Sequence, residues 1–122
     1  MILNHQIGGK PVSNGSKEKC NDIFAEIHLL GDEDGRVLYN KAKSYGDSWK
    51  KRGGIGAFMM LARKWDRIEQ QVQEHGYDVF KAIQNDSADE GILDDIRDLR
   101  RYLFLVDAEL ELRKNDAKKE TE

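Results

Sequence analysis

An all-α fold is predicted by three features of this 122-residue chain. Apolar residues recur at steps of three and four over most of its length, glycines punctuate those runs, and no stretch alternates as a half-buried strand would. The expected architecture is a small bundle of four to five helices, with a long C-terminal helix and an irregular N-terminal arm. At this length one domain is the default, here residues 16–113, set between an arm at 1–15 and a charged tail at 114–122 that should fray.

The arm contains Gly8, Gly9, Gly15 and the only proline, Pro11, a composition of irregular backbone. Ser16 is placed to cap a first helix whose stripe is Cys20, Ile23, Phe24, Ile27 and Leu30, with Gly31 as its stop. A second helix is expected to begin in Asp32-Glu33-Asp34, because carboxylates suit the positive end of the helix dipole. Its stripe is Leu38, Ala42, Tyr45 and Trp49; Gly46 and Asp47 loosen it, and Gly53-Gly54 break it. A third helix runs from Ile55 to His75 on Ile55, Phe58, Ala62, Trp65, Ile68 and Val72, and Gly76 ends it. A short helical turn, Tyr77 to Ile83, follows. Ser87 and Glu90 match a capping box at the head of the last helix. There Ile92, Ile96, Leu99, Leu103, Val106 and Leu110 alternate steps of four and three, a heptad seam.

Composition narrows the function. Charged residues make up 35% of the chain and hydrophobic ones 39%, which leaves a thin apolar stripe on each helix and predicts a homo-oligomer. A net charge of −3 argues against general duplex DNA binding, where a basic face dominates affinity. No apolar run is long enough to span a bilayer, so no membrane partner is expected. One cysteine, Cys20, excludes an intrachain disulfide and fits a reducing cytoplasm. The N-terminus shows no signal-peptide pattern.

The charge is unevenly spread. From Tyr45 to Arg67 six cations stand against two acids, and from Asp86 to Asp98 six acids stand against one cation. In the basic stretch, Gly53 and Gly54 immediately precede a predicted helix, whose first N–H groups lack internal partners and carry partial positive charge. Glycine lets a ligand approach the backbone, and phosphate binds in such places. Lys50, Lys51 and Arg52 add formal charge, and Tyr45 and Trp49 add aromatic faces on which a base could stack. Arg63, Lys64 and Arg67 are expected one to two turns further on, on the same anion. The ligand-binding set is therefore Tyr45, Trp49, Lys50, Arg52, Gly53, Gly54, Arg63, Lys64 and Arg67. The competing reading is a helix-breaking loop with solvated lysines, its arginines paired with the acidic side of the last helix.

The acids raise a second chemistry. Asp66 and Glu69 are three apart on one helix, and Asp95 and Asp98 are three apart on another. Facing each other, two such pairs could hold Mg²⁺, and a metal-bound water could attack a nucleotide's phosphates. Ion-paired helix surfaces show the same spacings. The catalytic residues, if any, are left unassigned.

The run YGDSWKKRGGIGAFMMLARKWDRIE, with DEGILDDIRDLRRYLFLV downstream, resembles the nucleotide-modification-associated domain, type one, of small bacteriophage proteins. The matching elements are Tyr45 to Trp49, Lys64 to Arg67, and Asp94 to Tyr102. A more distant likeness is to the all-α MazG-type nucleotide pyrophosphohydrolases, whose ExxE and ExxD pairs are replaced here by Asp66-x-x-Glu69 and Asp95-x-x-Asp98. These resemblances imply a nucleotide or cyclic-nucleotide partner. Either the chain binds it without cleavage, as a phage sponge for a host immune signal acting in the host cytoplasm, or it is a Mg²⁺-dependent pyrophosphohydrolase or nucleotide-modification factor. A structural self-assembly protein is the third reading.

Overall fold

The structure, a computed structural model, describes residues 15–86 and 91–121. Among them are four α-helices and no strand: α1, Gly15–Tyr45; α2, Gly53–Gln73; α3, Val79–Gln84; and α4, Ile92–Thr121. A single 3₁₀ turn, Ser48–Lys50, precedes α2. The all-α class and the long C-terminal helix are those the sequence predicts. The arm ahead of Gly15 and the capping box of Ser87 with Glu90 fall outside the described residues. Among the described residues no helix is long and apolar enough to cross a membrane.

By its internal packing the chain divides into two units, Met1–Asn40 and Lys41–Glu122. The first holds most of α1, and here the predicted elements are corrected. Gly31 does not stop the helix, and Asp32-Glu33-Asp34 lies inside it rather than at a start. Glycine ends a helix by adopting left-handed backbone. Gly31 does not adopt it, so it costs the helix only about 1 kcal/mol relative to alanine. Asp34 is buried, with 1% of its surface exposed, and it is partnered.

In the second unit α1 ends at Gly46, which has φ +57° and donates its N–H to the Ala42 carbonyl at 2.8 Å. The next helix then starts at Gly53, so the Gly-Gly pair opens α2 instead of separating two elements. α2 and α4 lie antiparallel: the cross-links Lys50–Glu109, Lys64–Asp98 and Arg67–Asp95 descend one helix as they climb the other. Past α2 the chain reverses through Gly76 (φ 64°) and Tyr77 (φ 63°), with the Tyr77 N–H donating to the Val72 carbonyl at 2.8 Å. α3 begins where Asp78 caps it, its carboxylate accepting from the N–H groups of Phe80 (3.0 Å) and Lys81 (3.2 Å).

The apolar core of this unit is small. Among the described residues, Ile68 of α2, Ala82 of α3 and Ile92 of α4 are the buried hydrophobic ones, with Val72, Val79, Ile83, Ile96 and Leu99 packed around them. α4 continues through the charged tail to Thr121 instead of fraying after Arg113. Asp94 and Asp95 in its first turn and Lys118 and Lys119 in its last complement the helix dipole. Pairs of Arg113 with Glu109 (2.9 Å) and of Lys114 with Glu111 (3.5 Å) brace the exposed part.

The head of α4 is held by a contact the sequence reading did not anticipate. The Asp86 carboxylate accepts from the Ile92 N–H at 2.7 Å. It lies over Gly91, which is buried, and a Cβ at that position would collide with it. Asp86→Ala and Gly91→Ala should each lower stability by about 0.5–2 kcal/mol, the usual cost of losing a cap. Denaturant unfolding checks this, with helical content by circular dichroism expected to stay near that of the unaltered chain.

Candidate functional site

The site is built around the first turn of α2. Its N-cap residue is Arg52, which has no side-chain acceptor to offer the free N–H groups that follow. Two hollows meet here. One, of about 310 Å³, is bordered by Trp49, Lys50, Gly53, Gly54 and Phe58 on one side and by Arg113 of α4 on the other. The second, of about 530 Å³, is bordered by Tyr45, Asp47, Ser48, Lys50, Lys51 and Arg113. Lys50 and Arg113 border both. The structure thus brings together five predicted residues: Tyr45, Trp49, Lys50, Gly53 and Gly54.

The electrostatics turn on Glu109. Lys50 Nζ is 2.7 Å from Glu109 Oε1, and Arg113 Nε is 2.9 Å from Oε2. The hydrogen bond from Lys50, seconded by that from Arg113, holds the Glu109 carboxyl below its usual range. The same bond to Glu109 raises the Lys50 ammonium above its usual value. Lys50 Nζ also stands 5.9 Å from the centroid of the Trp49 ring, within cation–π reach. Around the two hollows, Lys50, Lys51 and Arg113 face only Asp47 and Glu109, so one positive charge remains after the ion pairs form, and Arg52 adjoins them at the N-cap of α2.

The remaining predicted residues lie elsewhere. With α2 starting at Gly53 and rising 1.5 Å per residue, Arg63, Lys64 and Arg67 sit roughly 15 to 21 Å along the axis from its first turn. That is three to four turns, not one to two, and too far to share one phosphate with the loop. Lys64 bonds Asp98 at 3.0 Å and stands 3.7 Å from Asp95. Burial lowers the Lys64 ammonium, but the bond to Asp98 and the charges of Asp98 and Asp95 outweigh it, so the net shift is upward. Arg67 Nε donates to Asp95 Oδ1 at 2.9 Å, and Gln71 Nε2 donates to Asp95 Oδ2 at 3.0 Å. Asp95 is buried, its side chain 4% exposed. Lys64 and Arg67 therefore neutralise the acidic side of α4. Arg52 and Arg63 are exposed.

The four carboxylates weighed as metal ligands do not gather. Asp66 and Glu69 are exposed on α2, whereas Asp95 and Asp98 are held by Lys64, Arg67 and Gln71. Among the described residues, no group of three or more histidine, cysteine or carboxylate side chains is placed to hold a metal ion. Two residues of the site were missed from the sequence, Glu109 and Arg113. Their spacing of four on one helix was the available signal.

Two outcomes follow from this geometry. Arg67→Ala strips the buried Asp95 of its shortest ion pair but leaves Gln71 and Lys64, and half of Arg67 already faces solvent. Denaturant unfolding should therefore show a loss of about 1–2 kcal/mol. The Glu109 carboxyl, followed by NMR, should titrate below the usual value near 4.3. Because the folded value is depressed, the stabilisation is full above the ordinary carboxylate range and is lost as pH falls through the lower folded value. Lys50→Met should move the titration back toward the ordinary value. Comparisons with protein-family models, with curated proteins and with solved structures found no match for the chain.

Proposed function

We propose that the chain binds a nucleotide by its phosphates at the head of α2 and holds it without cleaving it. The observation that carries this reading is the meeting, at one place, of helix N–H groups that Arg52 cannot cap, two glycines, the Trp49 ring and a surplus of positive charge. Phosphate suits the amides and the cations, and a base suits the indole face. The resemblance of Tyr45 to Trp49 and of Asp94 to Tyr102 to a nucleotide-associated phage domain supports the same class. On this reading the chain is a sponge for a nucleotide signal, working in the cytoplasm of a host cell.

The pyrophosphohydrolase alternative asks Asp95 and Asp98 to bind Mg²⁺. Both are engaged by cations of α2, which favours binding over turnover. Self-assembly as the sole role is favoured by a different observation. Among the described residues the second unit buries three hydrophobic side chains, while Trp65, Phe58 and Leu103 stay at least half exposed.

Calorimetric titration with nucleoside mono-, di- and triphosphates and cyclic nucleotides, in the presence of Mg²⁺, tests the proposal. At least one ligand should bind and be recovered unchanged after the protein is heat-denatured. Trp49→Ala and Arg52→Ala should each weaken that affinity about tenfold, equivalent to ~1.4 kcal/mol. Arg67→Ala should lower stability with affinity nearly unchanged. Release of pyrophosphate or a monophosphate would favour the enzyme, and no binding across the panel would leave self-assembly.

A further inference from the structure

Two hollows are bordered by both α2 and α4. Along α2, Phe58, Leu61, Trp65, Ile68 and Val72 follow one another at alternating steps of three and four. Along α4, Ile96, Leu99, Leu103, Val106 and Leu110 do the same. Phe58, Leu61, Val106 and Leu110 meet at one end. Trp65, Ile68, Ile96 and Leu99 meet toward the other, around an apolar hollow of about 440 Å³. Together they form a gutter between two heptad rows. It is open to solvent: Phe58 is 63% exposed, Trp65 54%, Leu103 50% and Leu110 52%.

We infer that this gutter is the interface with a second copy of the chain, the two copies running antiparallel so that two α2–α4 pairs close into a four-helix core. Three observations select that occupant. A heptad row packs against another heptad row, and this surface offers two, side by side, which a two-fold axis makes self-complementary. The area suits a reversible pair: each row spans about 21 Å, so two ridges ~10 Å wide present roughly 400 Å² per copy, about half the ~800 Å² that each partner gives to a standard interface. Finally, the ends of the gutter differ in sign. Once Glu109 is counted against Lys50 and Arg113, and Glu111 against Lys114, the end formed by the start of α2 keeps a small positive excess that includes Arg52; toward the opposite end, beyond the paired Asp95 and Asp98, Glu69, Glu74 and Asp94 leave a negative one. An antiparallel pair lays the basic end of one copy over the acidic end of the other. The opposite-sign ends also orient the copies on encounter. The inference stands without the nucleotide reading, but the two share the 310 Å³ hollow beside Phe58.

Sedimentation of the full chain at tens of micromolar tests it. The expected species has twice the 14.0 kDa of one chain. Trp65→Glu combined with Leu103→Glu places charge on both rows and should weaken association at least a hundredfold. Gln70→Glu, at an exposed position on the α2 face away from the row, should leave association unchanged. Glu69→Lys touches only the charge pattern; it should weaken association about tenfold at low salt and less at high salt, and it covers the case in which the double variant fails to fold. A monomer in the unaltered chain, or an assembly indifferent to the row and charge substitutions, would overturn the assignment.

Discussion

The second unit depends on one buried carboxylate. Asp95 is almost wholly removed from water, and an unpaired charge in that position would be prohibitively costly. Arg67, Gln71 and Lys64 meet it from three successive turns of α2. This requirement helps set the register of α2 against α4, since sliding either helix by one turn would cost Asp95 one of its three partners and would break the Lys64–Asp98 and Lys50–Glu109 pairs as well. Hydrophobic burial alone could not set that register so sharply, because heptad rows repeat and a shifted register still pairs apolar with apolar.

With the register set, the far end of the pair is determined. Lys50 arrives opposite Glu109, Arg113 joins from one turn along α4, and the Gly-Gly start of α2 borders the smaller hollow. The polar side of the helix pair thus consumes Lys64 and Arg67 in holding the fold. The loop side keeps a positive surplus beside free helix amides. The basic segment is divided between two tasks that a linear reading merges.

What was legible in the sequence follows this division. The heptad seam of α4 and the stripe of α2 were readable because each is a local period; Gly46 was expected only to loosen the helix that it ends with left-handed backbone. Gly31 was misread as a stop, since composition does not reveal the φ that a glycine adopts. The acidic run Asp32-Glu33-Asp34 was misread with it, a helix start being inferred from the supposed break. Of the site, the loop residues were found because their chemistry is contiguous. Glu109 was not, because its partner Lys50 lies 59 residues away. The metal reading of Asp95 and Asp98 failed for a related reason: their spacing is shared by ligands and by ion pairs, and only the opposing helix decides between them.

Tyr77 bends the chain between α2 and α3 with left-handed backbone, a conformation that costs a residue with a Cβ about 1–2 kcal/mol and glycine almost nothing. Its ring meanwhile borders the apolar hollow beside Trp65 and Val79. The easiest relief of the bend, a glycine, would delete an aromatic wall from that hollow. Loop geometry and surface chemistry are therefore coupled through a single side chain, and neither can be adjusted at this corner without altering the other.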